Sequence, residues 1–161
     1  MTSLIEKYFT LKDALVDSDL SKTKSTGNQL ISSLKQIDMK LLEGDAHHKW
    51  MEIENTLSSS LKSLTETEDI EEARKYFEDI SEAAIESADF FGVNREIVYV
   101  QFCPMAFDDK GASWLSDSDE ILNPYFGDMM LNCGEVTKKI SAVDSYMESD
   151  DKSAQPVEHQ H

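Results

Sequence analysis

Residues 70–92, IEEARKYFEDISEAAIESADFFG, decide the fold. Ile70, Ala73, Phe77, Ile80, Ala84, Ala88 and Phe91 recur at steps of three and four, the spacing that places side chains on one face of an α-helix. Residues 65–69, TETED, supply capping oxygens and acidic groups suited to a positive helix N-terminus. Gly92 fits a left-handed C-terminal cap. A long helix with one apolar face needs partners, and the chain upstream provides three.

Working back from it, Trp50, Ile53, Leu57, Leu61 and Leu64 repeat at three and four and predict a helix over about 46–64. Residues 38–45, with Gly44, separate it from a helix over about 20–37, whose stripe is Leu20, Thr23, Gly27, Leu30, Leu34 and Ile37. A glycine inside a helix costs about 1 kcal/mol relative to alanine, which places Gly27 at a close crossing of two helices. The first helix, 3–16, carries Leu4, Ile5, Tyr8, Leu11 and Leu15, with Ser3 and Glu6 as a capping box and residues 17–19 as its stop. Four amphipathic segments joined by short turns predict a mainly-α protein, an up-and-down four-helix bundle.

Downstream the pattern changes. Residues 97–102, IVYVQF, alternate in a period of two and read as a short strand or an extended strap. Residues 102–136, FCPMAFDDKGASWLSDSDEILNPYFGDMMLNCGEV, are rich in Gly and Pro and predict a long loop segment, with one or two short strands in the region as a whole. Trp114, Leu115, Tyr125 and Phe126 suit anchors that fasten this segment to the helices, Gly111 and Gly127 permit turns, and Asn123-Pro124 starts one. Val136, Ile140, Val143 and Met147 have helical spacing, while Val136, Lys138 and Ile140 alternate as a strand would, and both readings stand. The expected organisation is one domain over residues 1–147 and a flexible acidic tail over 148–161.

The chain has 161 residues and a net charge of −17, from 32 acidic and 15 basic side chains. Such a field repels phosphate backbones and argues against nucleic-acid binding, whereas it concentrates cations. No apolar run is long enough to span a bilayer, and no leader peptide is evident at the N-terminus. Nucleophile elbow, P-loop, dinucleotide fingerprint, HExxH and CxxC patterns are all absent, which argues against an enzyme.

Sulfur is the chemical lead. Cys103-Pro104-Met105 and the cluster Met129, Met130, Cys133 are soft ligands that select Cu(I) or Ag(I) over harder ions. His48, beside His47, is a candidate nitrogen ligand, and His159 and His161 in the tail are further ones. The alternative is a structural disulfide between Cys103 and Cys133, with the methionines as core filler.

The strings at 99–106 (YVQFCPMA), 110–116 (KGASWLS) and 121–136 (ILNPYFGDMMLNCGEV) resemble an uncharacterised domain common in Bacteroidetes. That domain occurs as a small secreted or lipoprotein unit and fused to periplasmic adaptor subunits of heavy-metal efflux pumps. The helical part, at YFTLKDALVDSDLSKTKSTGNQLISSL and ARKYFEDISEAAIE, is similar more loosely, and Gly27 departs from the alanine-rich helix expected there. The resemblance implies a periplasmic or lipoprotein location and association with copper or related metals, and it brings no ligand set. The expected function is therefore a periplasmic module that takes up Cu(I) through Cys103, Met105, Met129, Met130, Cys133 and His48, for buffering or delivery to efflux-pump adaptor proteins. The alternative is a disulfide-stapled helical interaction module of a membrane or efflux assembly, without a metal site.

Overall fold

The computed structural model describes residues 2–93 and 95–142, without the side chains of Thr2, Ser3 and Met39. The expectations for Val143, Met147, the tail and the Ser3 half of the capping box lie outside what is described.

Four helices form the bundle: α1 (Thr2–Val16), α2 (Leu20–Lys35), α3 (Asp45–Glu66) and α4 (Ile70–Phe91). Each packs on the next in the chain, in up-and-down order. Their ends follow side-chain chemistry. Asp19 accepts from the Lys22 backbone N–H at 3.0 Å to cap α2, and Asp69 accepts from Glu71 N–H at 2.9 Å to cap α4. Gly92 ends α4 at φ 79°. Helix α2 stops at Lys35, two residues short of the expected Ile37, and α3 runs on to Glu66. Gly27 does sit at a close crossing: a Cβ there would lie 2.8 Å from Thr65 Cγ2 and 3.0 Å from Leu64 Cδ2 on α3.

Beyond α4 the chain forms a three-stranded antiparallel sheet of β1 (Val98–Cys103), β2 (Ala112–Ser116) and β3 (Glu135–Ile140), in the order β2-β1-β3. Val100 of β1 faces Leu115 on one side and Lys138 on the other. Three strands replace the one or two expected. The GASWLS anchor is itself β2, and the ambiguous run after Cys133 is β3, an edge strand that leaves Lys138 and Lys139 exposed.

An aromatic wedge joins sheet to bundle. Tyr125 packs on Phe77 of α4 (5.7 Å between ring centroids), Trp114 of β2 (5.9 Å) and Phe107 (5.3 Å), and its hydroxyl donates to Ser113 O at 2.6 Å. Tyr8 of α1 stacks on Phe77 at 5.3 Å. Its hydroxyl accepts from Leu115 N–H at 3.1 Å and shares a 2.7 Å bond with Ser81 of α4. Burial pushes the Tyr8 hydroxyl pKa up against the opposing pull of these two bonds, and burial does the same for Tyr125; both stay protonated and structural.

Candidate paired-thiol site

Cys103 ends β1, fully buried and opposite Ala112 of β2. Cys133 comes 30 residues later, half-buried in the turn that leads into β3. Their sulfur atoms lie 2.9 Å apart. Asn123 holds the second cysteine in place. It is wholly buried, its side-chain amide donates to Cys133 O at 2.8 Å, and its own N–H donates to Leu131 O at 2.7 Å. The Asn123 side-chain Oδ1 accepts from Tyr125 N–H at 2.8 Å, an Asx turn that starts the NPYF segment. The turn expected at Asn123-Pro124 is thus present, and its asparagine also fixes a cysteine backbone ten residues on.

The same segment is bolted to the bundle by Arg74, which is 2% exposed. Its Nε donates to Pro124 O at 2.9 Å, one terminal nitrogen donates to Leu15 O and Ser18 Oγ, both at 3.0 Å, and the other pairs with Glu71 at 2.6 Å. Gly127 passes so close that a Cβ would meet Ser18 Oγ at 2.7 Å and Arg74 Nη2 at 2.8 Å, and its φ of +58° also favours glycine.

Within the pair, the hydrogen bond to the Cys103 sulfur, with desolvation added, pushes the Cys133 thiol pKa up, while the Met105 backbone N–H on Cys133 pulls it down. The net direction is upward, so Cys133 is a thiol held protonated rather than an activated thiolate.

The other expected ligands are placed as follows. Met105 follows Cys103 by two residues, is 47% exposed, and brings its backbone N–H to Cys133. Met130 is half-buried, and its carbonyl accepts from Cys133 N–H at 3.1 Å. Met129 is 69% exposed to solvent. His48 is exposed in the first turn of α3, where neighbouring Lys49 meets Glu86 of α4 at 2.6 Å. Cys103 lies toward the other end of α4, where Lys110 in the β1–β2 connection reaches Glu78 at 2.9 Å. Glu78 and Glu86 are two helical turns apart, about 12 Å. The described residues contain no group of three or more His, Cys, Asp or Glu able to hold a metal ion. Among the described residues Met105 adjoins both cysteines through its backbone, two residues after Cys103 and with its N–H on Cys133. That donor set fits a small soft-ion site at most, because two thiolates on one ion with bonds of about 2.3 Å stand roughly 3.8 Å apart when tetrahedral. The thiols would have to separate by about 1 Å.

Fold and site together define a four-helix-bundle protein that carries an appended sheet with a paired-thiol centre. Residues 4–96 match the family described as a protein of unknown function, DUF3347, and the chain belongs to that family. The match covers the four helices from residue 4 onward and ends before β1, so both cysteines and the C-P-M and N-P-Y-F-G-D-M-M-L-N-C-G motifs lie beyond it. No curated protein and no solved structure matches the chain. Among the described residues no helix is long and apolar enough to cross a membrane.

Proposed function

We propose that the chain is a non-catalytic helical interaction module of the cell envelope in which a Cys103–Cys133 disulfide staples the sheet to itself and so to the bundle. The observation that carries this reading is the 2.9 Å approach of two sulfurs from positions 30 residues apart, held by β1 on one side and Asn123 on the other. Closing a loop of that length contributes about 3.6 kcal/mol in the chain-entropy account. Such a bond persists in an oxidising compartment, in keeping with the periplasmic or lipoprotein setting of the domain this chain resembles. The test is intact mass after equilibration with oxidised glutathione. A mass lower by two hydrogens, absent in Cys103→Ser, supports the staple; protein that stays fully reduced, or becomes glutathionylated without closing the pair, overturns it.

A second reading is favoured by Met105, half-exposed two residues after Cys103, whose backbone N–H reaches Cys133. In reducing conditions Cys103, Cys133 and Met105 would hold Cu(I) or Ag(I), for buffering or for transfer to an efflux-pump adaptor protein. When bound, the ion would accept electron pairs from the soft sulfur ligands; the chain's part is to present Cys103 from the end of β1 and Cys133 from the turn that Asn123 holds. Competition between reduced protein and a colorimetric Cu(I) chelator tests it. Equal competition by the Cys103→Ser, Cys133→Ser double variant would sink this reading.

A further inference from the structure

Helices α1 and α4 close the bundle, and theirs is the loosest of its four seams. In the half nearest Arg74 the seam is covered by β2, Tyr125 and the NPYFG segment. In the other half it opens into a cleft of about 70 Å³ that reaches the bundle interior. All four helices line it: Leu4 and Ile5 from α1, Leu34 from α2, Trp50 from α3, and Ala84 and Ala88 from α4. A space that size exceeds what one water needs several-fold, and natural cores rarely leave such a gap. Small side chains create it, since Ala84, Ser87, Ala88 and Gly92 stand where α4 passes α1. The walls are held rather than slack. Arg95, just past α4, grips Glu6 of α1 with bonds of 2.7 and 2.9 Å and lies over the Phe9 ring at 5.1 Å. Tyr8, also in the lining, turns its hydroxyl away to Ser81 and Leu115, which leaves Ser87, half-buried, as the hydroxyl among mostly hydrocarbon.

We infer that this cleft is a binding site for a small neutral hydrophobic molecule of at most one ring, seated partly in its open mouth because a benzene needs roughly 150 Å³ to be enclosed. The apolar lining supplies the affinity and the volume sets the size. The net charge of −17 selects against anionic ligands of the same shape. The inference goes beyond the stapled-module reading and uses neither cysteine.

The probe is nitrobenzene, a neutral one-ring quencher of indole fluorescence, titrated into the full chain. In a Trp114→Phe background the remaining Trp50, which lines the cleft, reports the probe directly by contact quenching. Saturable quenching of Trp50 is expected. Affinity should fall at least tenfold in Ala84→Leu and in Ser87→Met, each of which fills the cleft, and at least as far for the anionic nitrobenzoate. Circular dichroism and a cooperative melt establish that each variant is folded; should Ala84→Leu not fold, Ser87→Met at the half-buried rim decides alone. Absence of saturable quenching, unchanged affinity in the folded filled variants, or equal binding of the anionic probe would overturn the inference. Cys103→Ser, Cys133→Ser protein is expected to bind the neutral probe as the parent does, so loss of the staple reading leaves this one standing.

Discussion

The two halves of the α1–α4 seam are built from the same two helices and solve opposite problems. Near the start of α4, Arg74, Phe77 and Ser81 meet large or polar partners from three other segments, and the Arg74 guanidinium and the Ser81 hydroxyl both find bonds. Near its end, Ala84, Ser87, Ala88 and Gly92 leave room beside α1 that no side chain fills, and the seam stays open. The contrast teaches that closure here depends on what the C-terminal segment brings across the helices. Helix propensity plays little part, since α4 is continuous through both halves.

The largest expected effect breaks the closed half. Arg74→Leu removes the donors to Leu15 O, Pro124 O and Ser18 Oγ and leaves two carbonyls beside an apolar side chain. The expected loss is about 3 kcal/mol, read as a fall in the urea midpoint. A loss below about 1 kcal/mol would mean that the segment is held by its aromatics alone. The next effect compares a tight seam with the open one. Gly27→Val forces a branched side chain into Thr65 and Leu64 and should cost about 2 kcal/mol. Ala88→Val adds two methyl groups beside the cleft and should stay within about 1 kcal/mol of the parent. Equal costs for the two would show that the cleft collapses in solution.

The bundle was legible because its helices repeat at three and four over many residues and carry Asp caps, and Gly27 marked the α2–α3 crossing by its cost. The sheet was harder to read. In β2, Trp114, Leu115 and Ser116 are all buried, so the period of two that betrays a half-exposed strand is missing. In β3 only Ile140 is buried, which leaves too little pattern to separate strand from helix. Arg74 carried a signal that apolar patterning passes over, since it falls four residues after Ile70 and three before Phe77, on the packed face. The small residues of α4 fitted the helical stripe as well as any others, and a stripe alone gives no measure of the room left beside it. The meeting of Cys103 and Cys133 could not be derived, because it depends on the register of β1 with β2 and on the path of Asn123.

A smaller effect concerns the strain in the connection between β1 and β2. Phe107, Asp108 and Asp109 take φ of 53°, 55° and 67° in succession, a left-handed turn that L-residues adopt at a cost of about 1 kcal/mol or more each. Phe107 is held there by its contact with Tyr125. Asp108 is exposed, and Asp108→Gly should raise stability by about 1 kcal/mol by thermal or urea melting. A decrease would show that the aspartate side chain itself holds the turn next to Cys103.

The smallest effect separates the paired thiols from the rest of the molecule. In reduced protein the Cys133 thiol titrates above its ordinary value because the Cys103 sulfur hydrogen-bonds it and burial opposes the charge. In the unfolded chain it ionises near the usual thiol range, about 8.5. Below that pH both states hold the proton and the thiol does not tilt stability either way. As pH rises past it, the unfolded chain releases its proton first, so stability falls until the folded thiol ionises as well. The net negative charge also weakens the fold at high pH, but it does so with or without the thiol. The measurement is therefore the difference between reduced parent and Cys133→Ala, with urea midpoints taken at neutral pH and again one to two units above the thiol range. A steeper fall in the parent is expected, and oxidised parent, having no thiol to ionise, should follow the alanine variant. Identical slopes in reduced parent and variant would mean that the two sulfurs do not share a hydrogen bond in solution, and the staple would then have to form from thiols that are not already in contact.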